Sequence, residues 1–272
     1  MLISKRALDR ISADILRVIA GESVDFRNNR EGALSALRND IHTLARLKNE
    51  QVEALVRDKA VLRDTLADIS HQLKTPLTSM MIMAELLESA PPEKHTEFIE
   101  NIKSGLARTQ WLVTAMLKLA KLDSGAVEFS RAMVSSGKVI GRALEPLGIL
   151  LELKNQRVER AGEAELFCDL RWTAEALSNI LKNASEYSPT ESVIRVGAGE
   201  NPICAWISVA DRGKGLTREE LSSVFKRFEG SRADAGYGIG LPMALSIMRG
   251  QNGDVSAENA EGGAVFTLKF YK

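Results

Sequence analysis

The run Asp68-Ile69-Ser70-His71-Gln72-Leu73-Lys74-Thr75-Pro76-Leu77-Thr78 lies inside a long helical pattern and carries a histidine with a proline five residues on. Around it, apolar residues recur mostly at helical spacings. Leu34, Leu37, Ile41 and Leu44 lead on to Leu55, Leu62, Leu66, Ile69 and Leu73. Such spacing puts them on one helix face. The seam is polar near Lys48 to Gln51, where its phase drifts. The economical reading is one nearly continuous helix over about 33–89. Ala90-Pro91-Pro92-Glu93 ends it, because proline removes a backbone donor and disfavours helix in the residue before it. A second helix is expected over about 93–123, with the stripe Ile99, Ile102, Leu106, Thr109, Val113, Met116 and Ala120. Two such helices make a hairpin. Its seams are too long to bury alone. A second copy, forming a dimeric four-helix bundle, would cover them; the alternative is a hairpin packed on its own C-terminal domain.

Helix phase fixes where His71 points. It is two residues from both Ile69 and Leu73, about 200° around the helix, and so faces solvent. Thr75 is four residues on and shares that face. Pro76 cannot donate to the carbonyl of Gln72, so a bend is expected just past the histidine. Taken alone, an exposed histidine is usually only solvated. That reading is given to His42 and His95.

Composition excludes several classes. The chain has 272 residues, 44% hydrophobic and 26% charged, with Lys+Arg and Asp+Glu both at 36. No charge excess calls for nucleic acid or a membrane surface. No apolar run reaches the roughly 18 residues that span a bilayer, and no signal peptide is visible. The stretch is expected to be cytoplasmic, with any membrane anchor in a segment outside it. Cys168 and Cys204 lie in apolar runs without metal spacing and read as buried free thiols.

The chain changes character near residue 125. Glycine becomes frequent and short β-like runs appear. Strands are expected at Ala126–Phe129, Gln156–Arg160, Glu165–Cys168, Ser192–Val196, Ile203–Ala210, Asp254–Glu258 and Ala264–Phe270. Helices are expected at about 136–153, 171–187, 217–224 and 240–250, the first kinked or interrupted at Pro146. Strands in adjacent pairs argue for a mixed sheet with helices on one face.

Four separated stretches bear on a ligand pocket. In Glu175-Ala-Leu-Ser-Asn179-Ile-Leu-Lys182-Asn183-Ala-Ser-Glu-Tyr187-Ser-Pro189, the polar Glu175, Asn179 and Asn183 fall four apart on one helix face. Their carboxamide oxygens suit Mg²⁺; a solvated face is the bland alternative. Val209-Ala210-Asp211-Arg212-Gly213-Lys214-Gly215 puts an acid at a strand end before spaced glycines, which suits close approach to a ligand. Val224-Phe225-Lys226-Arg227-Phe228 is weak alone. Gly236-Tyr237-Gly238-Ile239-Gly240-Leu241 precedes a helix, where free amides attract phosphate.

Together these parts resemble sensor histidine kinases. Ser70 to Thr78 resembles their H-box, and the four later stretches resemble the N, G1, F and G2 boxes of their ATP-binding domain, with Gly262-Gly263 as a later glycine pair. The resemblance covers about 55–272. Residues 1–50 resemble a HAMP signalling module, with Ile11, Ile15, Val18 and Ile19 as a first stripe, Gly21 ending it, and Glu31-Gly32 before the second helix. The layout expected is 1–50 HAMP-like helices, 51–125 dimerisation and histidine phosphotransfer hairpin, and 126–272 catalytic ATP-binding domain. The fold class is α plus α/β, the second part a Bergerat-type sandwich shared with the GHKL ATPases.

The resemblance implies site roles. His71 is the phospho-acceptor, and Thr75 matches the position that orients water when the partner regulator is dephosphorylated. Gln72 departs from the acid usual at that position; an amide can orient the imidazole but cannot take its proton. An exposed imidazole already holds a free lone pair near neutral pH. Asn183 is the Mg²⁺ ligand, Asn179 supports it, and Glu175 is expected near the metal. Lys182 and Arg227 are phosphate-side contacts. Tyr187 packs near the adenine and Asp211 accepts from its amino group. Gly213, Gly215, Phe228, Gly236, Gly238, Gly240 and Leu241 shape the rest of the cofactor site, with Arg232 in a short lid. The implied activity is autophosphorylation of His71 from ATP with Mg²⁺, then transfer to an aspartate of a response regulator, in a homodimer. The alternatives are a GHKL-type ATPase that does not need His71, and a dimeric scaffold or regulator phosphatase suggested by Gln72.

Overall fold

The computed structural model describes residues 12–13, 15–17, 33–228, 238–260 and 262–272, with the backbone alone at 33–38, 57–58 and 61–62. The chain divides into two compact units, Met1–Ile69 and Ser70–Lys272. In the first unit, helix is present at 12–13, at 15–17 and from Ala33 onward. The connector expected over 18–32, with Val18, Ile19, Gly21 and Glu31-Gly32, lies outside the described residues, as does Ile11. Leu44, Leu55 and Leu66 stand exposed.

Helix α1 spans Ala33–Ser89 and contains Pro76; α2 spans Pro92–Asp123. The α-helix runs unbroken across Pro76. Pro92 sits in the first turn of α2, where its missing N–H would have had no intrahelical partner. The connection between the helices is tight. The Lys94 amide donates to Pro91 O at 2.9 Å. His95 Nε2 lies 2.9 Å from Ala90 O, so this histidine is a brace of the turn and not merely solvated as expected. Its imidazole satisfies a carbonyl that the end of α1 leaves orphaned. The helices approach closely at Gly105, where an added Cβ would meet Met80 Cγ at 2.7 Å. Gly125, at φ +66°, closes α2 in the left-handed conformation that glycine adopts at little cost.

Beyond the hairpin the elements are β1 (Ala132–Ser135), α3 (Ser136–Leu144), a 3-10 turn (Glu145–Leu147), α4 (Gly148–Leu153), β2 (Arg157–Ala161), β3 (Glu165–Cys168), α5 (Leu170–Tyr187), β4 (Val193–Glu200), β5 (Cys204–Ala210), α6 (Arg218–Ser223), α7 (Gly240–Arg249), β6 (Gly253–Ala260) and β7 (Gly263–Tyr271). Pro146 breaks the expected helix over 136–153 into α3 and α4 through the 3-10 turn. A five-stranded sheet has the order β2-β4-β5-β7-β6. Only β2 and β4 run parallel; the other neighbours are antiparallel. On one face, Ile194, Val196, Ile207, Val209, Phe266 and Leu268 are buried, and the opposing helices contribute Val139, Leu177, Ile180, Ala244 and Ile247. This is a two-layer α/β sandwich, each layer burying the apolar side of the other.

Two expectations need correction. Ala126–Phe129 is not a strand. The first strand is Ala132–Ser135, and it pairs with β3 in a separate two-stranded sheet. Phe129 serves as a plug, its ring 5.9 Å edge-on from Trp172 and pressed against Gly250, where a Cβ would meet it at 2.6 Å. One aromatic anchored in a pocket leaves the segment no ladder to join. Of the two thiols only Cys168 is buried, and burial pushes its pKa up; Cys204 is half-buried at the start of β5.

Candidate functional site

Helix α5 builds one wall. Asp169 caps it, its Oδ1 accepting from the amides of Arg171 at 2.9 Å and Trp172 at 3.1 Å. One face buries Ala176, Leu177, Ile180, Leu181 and Ala184. The 3.6-residue period then turns Asn179, Lys182, Asn183 and Glu186 to the other side, where with Tyr187 they line a cleft. Asn179 Nδ2 is buried there without a hydrogen-bond partner. The end of α5 is held from below: Gln156 Nε2 donates to Ser185 O at 3.1 Å and Pro189 O at 2.9 Å, and Lys154 Nζ donates to Ser185 O at 2.7 Å.

The loop after β5 forms the opposite side. Asp211 is 7% exposed. Its Oδ1 accepts from the amides of Gly213 at 2.8 Å and Ala264 at 3.0 Å, which fixes the carboxylate rigidly at the cleft. Gly213 passes so near α5 that a Cβ would sit 2.9 Å from Tyr187 O. Gly215, at φ +74°, presses on Asn259. Asn259 Oδ1 accepts from the Leu216 amide at 2.8 Å, and its Nδ2 donates to Leu216 O at 2.6 Å. A side chain here stands in for a neighbouring strand.

At the third edge, Gly238, Gly240 and Leu241 line the cleft where α7 begins. Gly238 is at φ +65°. At Gly240 a Cβ would meet Asn179 at an ordinary 3.6 Å, so packing does not demand glycine there. Gly236 and Arg232 lie outside the described residues. The Phe228 amide donates to Gly238 O at 3.0 Å, and Phe228 holds φ +61°.

Three expected site residues lie elsewhere. Arg227 does not line the cleft; its Nη2 is 2.5 Å from Asp123 Oδ2 of α2. Phe228 packs against the core. Glu175 also stays out, its Oε1 2.5 Å from Lys118 Nζ of α2. Conversely, the hairpin's Trp111 lines the cleft, with Lys182 Nζ 5.3 Å from its ring centroid. Nothing in the sequence pointed to Trp111 or Asn259, since each owes its place to a contact distant along the chain. Glu186 was overlooked as well. Burial raises its pKa, against the opposing pull of Lys182 and Lys154.

His71 is exposed on α1, outside the cleft lining. Thr75 Oγ1 donates back to His71 O at 3.2 Å, while Pro76 offers no amide to Gln72 O.

A cleft with a fixed carboxylate, close-passing glycines and a polar helix face is suited to a purine nucleotide. Residues 168–272 match the family described as Histidine kinase-, DNA gyrase B-, and HSP90-like ATPase. That description spans several chemistries. Residues 61–125 match the His Kinase A (phospho-acceptor) domain, which includes His71.

The chain belongs to the sensor histidine kinases.

The chain is 26% identical to the signal transduction histidine-protein kinase BaeS of Escherichia coli (strain K12), over 84% of the chain and 50% of BaeS. It is 25% identical to the sensor-like histidine kinase SenX3 of Mycobacterium tuberculosis (strain ATCC 25618 / H37Rv), over 98% of the chain and 71% of SenX3. The chain thus spans only half the length of BaeS. In fold it is similar to the Acinetobacter baumannii histidine kinase AdeS, with TM-score 0.63 and 18% identity over 74% of this chain and 97% of that one. It is also similar to the histidine kinase ThkA, solved in complex with the response regulator protein TrrA, with TM-score 0.66 and 19% identity over 83% and 66%.

Proposed function

We propose that this kinase moves the γ-phosphoryl group of ATP to His71 and then to an aspartate of a response regulator receiver domain. The observation that carries the reading is a nucleotide-suited cleft floored by Asp211 in the same polypeptide as a solvent-facing His71 on a helical hairpin. Asp211 accepts from the adenine amino group, and Tyr187 packs beside the base. Lys182 meets the phosphates. The ring nitrogen of His71 that holds the free lone pair attacks the γ-phosphorus, the bond to the bridging oxygen breaks and ADP leaves, while the proton on the other ring nitrogen passes to solvent. The regulator carboxylate then takes the phosphoryl group from the nitrogen. Catalysis rests on positioning and charge neutralisation. Since His71 does not line the cleft, the ATP domain must travel to it or serve the histidine of a second copy.

Mg²⁺ fits the donor set. Asn183 and Asn179 offer hard carboxamide oxygens, and the partnerless Nδ2 of Asn179 is a donor suited to a phosphate oxygen beside the metal. Among the described residues no cluster of three His, Cys, Asp or Glu could cage a metal. A metal here would bring waters and phosphate oxygens, with Asn183 as the protein ligand. Bound Mg²⁺ supplies neutralisation of phosphate charge.

The reading extends to a homodimer. Leu77, Met81, Leu86, Leu106 and Leu117 leave the hairpin's apolar surface exposed, as a four-helix bundle of two copies requires. No described helix is long and apolar enough to cross a membrane; attachment would come through a segment outside this stretch. The test is incubation with ATP labelled in its γ-phosphate. The expected product is an acid-labile, base-stable label that disappears in His71→Ala. ATP hydrolysis without any label on His71 would instead favour a plain ATPase.

A further inference from the structure

Both cations assigned to phosphate are engaged by the hairpin. Lys182 Nζ lies 5.3 Å from the Trp111 ring centroid and 3.7 Å from Glu186 Oε1. Arg227 is paired with Asp123 at 2.5 Å. A third link, Lys118 to Glu175, ties α2 to the very face of α5 that carries Asn179 and Asn183. Trp111 and Lys118 are two turns apart on α2, and Leu112, Ala115 and Leu119 are buried among them. Trp111 also occupies one wall of the cleft. Close by in sequence to His71, Leu73 packs against the same buried core.

We propose that the hairpin and the nucleotide phosphates compete for Lys182 and Arg227, so that nucleotide entry releases the ATP domain from its seat on α2. The proposal rests on the nucleotide reading of the cleft and adds how that site is regulated. Seated, Arg227 is paired with a carboxylate of α2, and Lys182 lies over an indole face of α2 with Glu186 of its own helix beside it. A triphosphate carries several negative charges and is a stronger partner for both. Once Lys182 and Arg227 turn to it, α2 has lost two of its polar links, while the Lys118–Glu175 pair and the apolar contact around Leu112, Ala115 and Leu119 remain. The freed domain can then reach His71. The coupling is reciprocal: if nucleotide loosens the seat, loosening the seat must tighten nucleotide.

The test measures binding of a non-hydrolysable ATP analogue with Mg²⁺ to the full chain by calorimetry. A partly exposed ion pair shifts an equilibrium by about two- to fivefold. Asp123→Asn and Lys118→Gln are each expected to lower the Kd by that factor, and the double variant by about tenfold. In an Arg227→Ala background, Asp123→Asn should change nothing. Trp111 emission should shift on adding analogue, judged against Trp111→Phe. Unchanged or weaker binding in both single variants overturns the proposal, as does an Asp123→Asn effect that survives in Arg227→Ala. Failure of the unaltered chain to bind the analogue at all would instead overturn the nucleotide reading.

Discussion

Gly263 is packed so tightly on Asp211 that an added Cβ would fall 2.4 Å from Oδ1 and 2.5 Å from the backbone oxygen. The start of β7 and the carboxylate of the cleft are therefore one unit, joined by the Ala264 amide. Gly263→Ala must displace one or the other, and overpacking of this kind costs about 1–3 kcal/mol. The expected outcome is a lower melting temperature together with at least tenfold weaker binding of an ATP analogue. Wild-type affinity in this variant would show that the placement of Asp211 does not matter to the ligand.

Asp211→Asn separates charge from shape. The side-chain oxygen can still accept from Gly213 and Ala264, so the loop should hold. The second position becomes an amide donor facing the cleft. Adenine presents a donor amino group and guanine a carbonyl acceptor at the same ring position. Loss of a hydrogen bond to a charged group costs about 1.5–3 kcal/mol, so ATP affinity should fall by about ten- to a hundredfold while GTP affinity holds or rises. Titration with both nucleotides decides it; an equal loss of both would remove Asp211 from base recognition.

The parts of this fold that obey a local period were legible in the sequence. The three-four spacing and the Pro91-Pro92 break gave the hairpin, and the polar face of α5 followed from the same periodicity. What was missed depends on contacts between distant segments. Phe129 looked like part of a strand because its neighbours are β-compatible, yet its place is set by Trp172 and Gly250. Asn259 has no motif of its own, and its pairing with Leu216 needs the whole sheet first. Arg227 was read from its place in the chain, which cannot reveal that Asp123, 104 residues away, holds it in this conformation.

Asn259→Ala should loosen the loop carrying Gly213 and Gly215 by removing both links to Leu216. The site is exposed, so the cost to global stability should be small, about 1 kcal/mol. A disordered wall weakens binding before it weakens chemistry. The expected signature is a KM for ATP raised several-fold with kcat for His71 labelling nearly unchanged. A matching fall in kcat would place Asn259 in the reacting geometry.

Gln72→Glu tests the residue beside the acceptor. Glutamine leaves the proton of His71 to solvent, whereas a carboxylate can take it. Labelling of His71 should speed up about tenfold or more and lose part of its dependence on solvent base. Rapid-quench measurement across pH 6 to 9 reports both. A rate identical to the parent at every pH would mean that proton removal does not limit the step.

Glu186 brings a negative charge into a cleft meant for phosphate. Burial raises its pKa above the ordinary glutamate value, with Lys182 and Lys154 pulling the other way. A carboxyl whose folded pKa exceeds its unfolded value contributes stability below the unfolded pKa and loses it as pH rises through the folded one. At neutral pH the ionised side chain is therefore a net cost to the fold. Glu186→Gln should raise the melting temperature slightly near pH 7, and that gain should vanish below about pH 4, where both states of the parent are protonated. The same substitution removes one partner of Lys182, now 3.7 Å from Glu186 Oε1, leaves its contact with Trp111, and removes repulsion of the phosphates. Tighter ATP binding at pH 7 should accompany the stabilisation. Melting curves from pH 3.5 to 8 with parallel nucleotide titrations test both halves; a variant less stable at pH 7 than at pH 4, relative to the parent, would mean that the pairing with Lys182 and Lys154 outweighs burial.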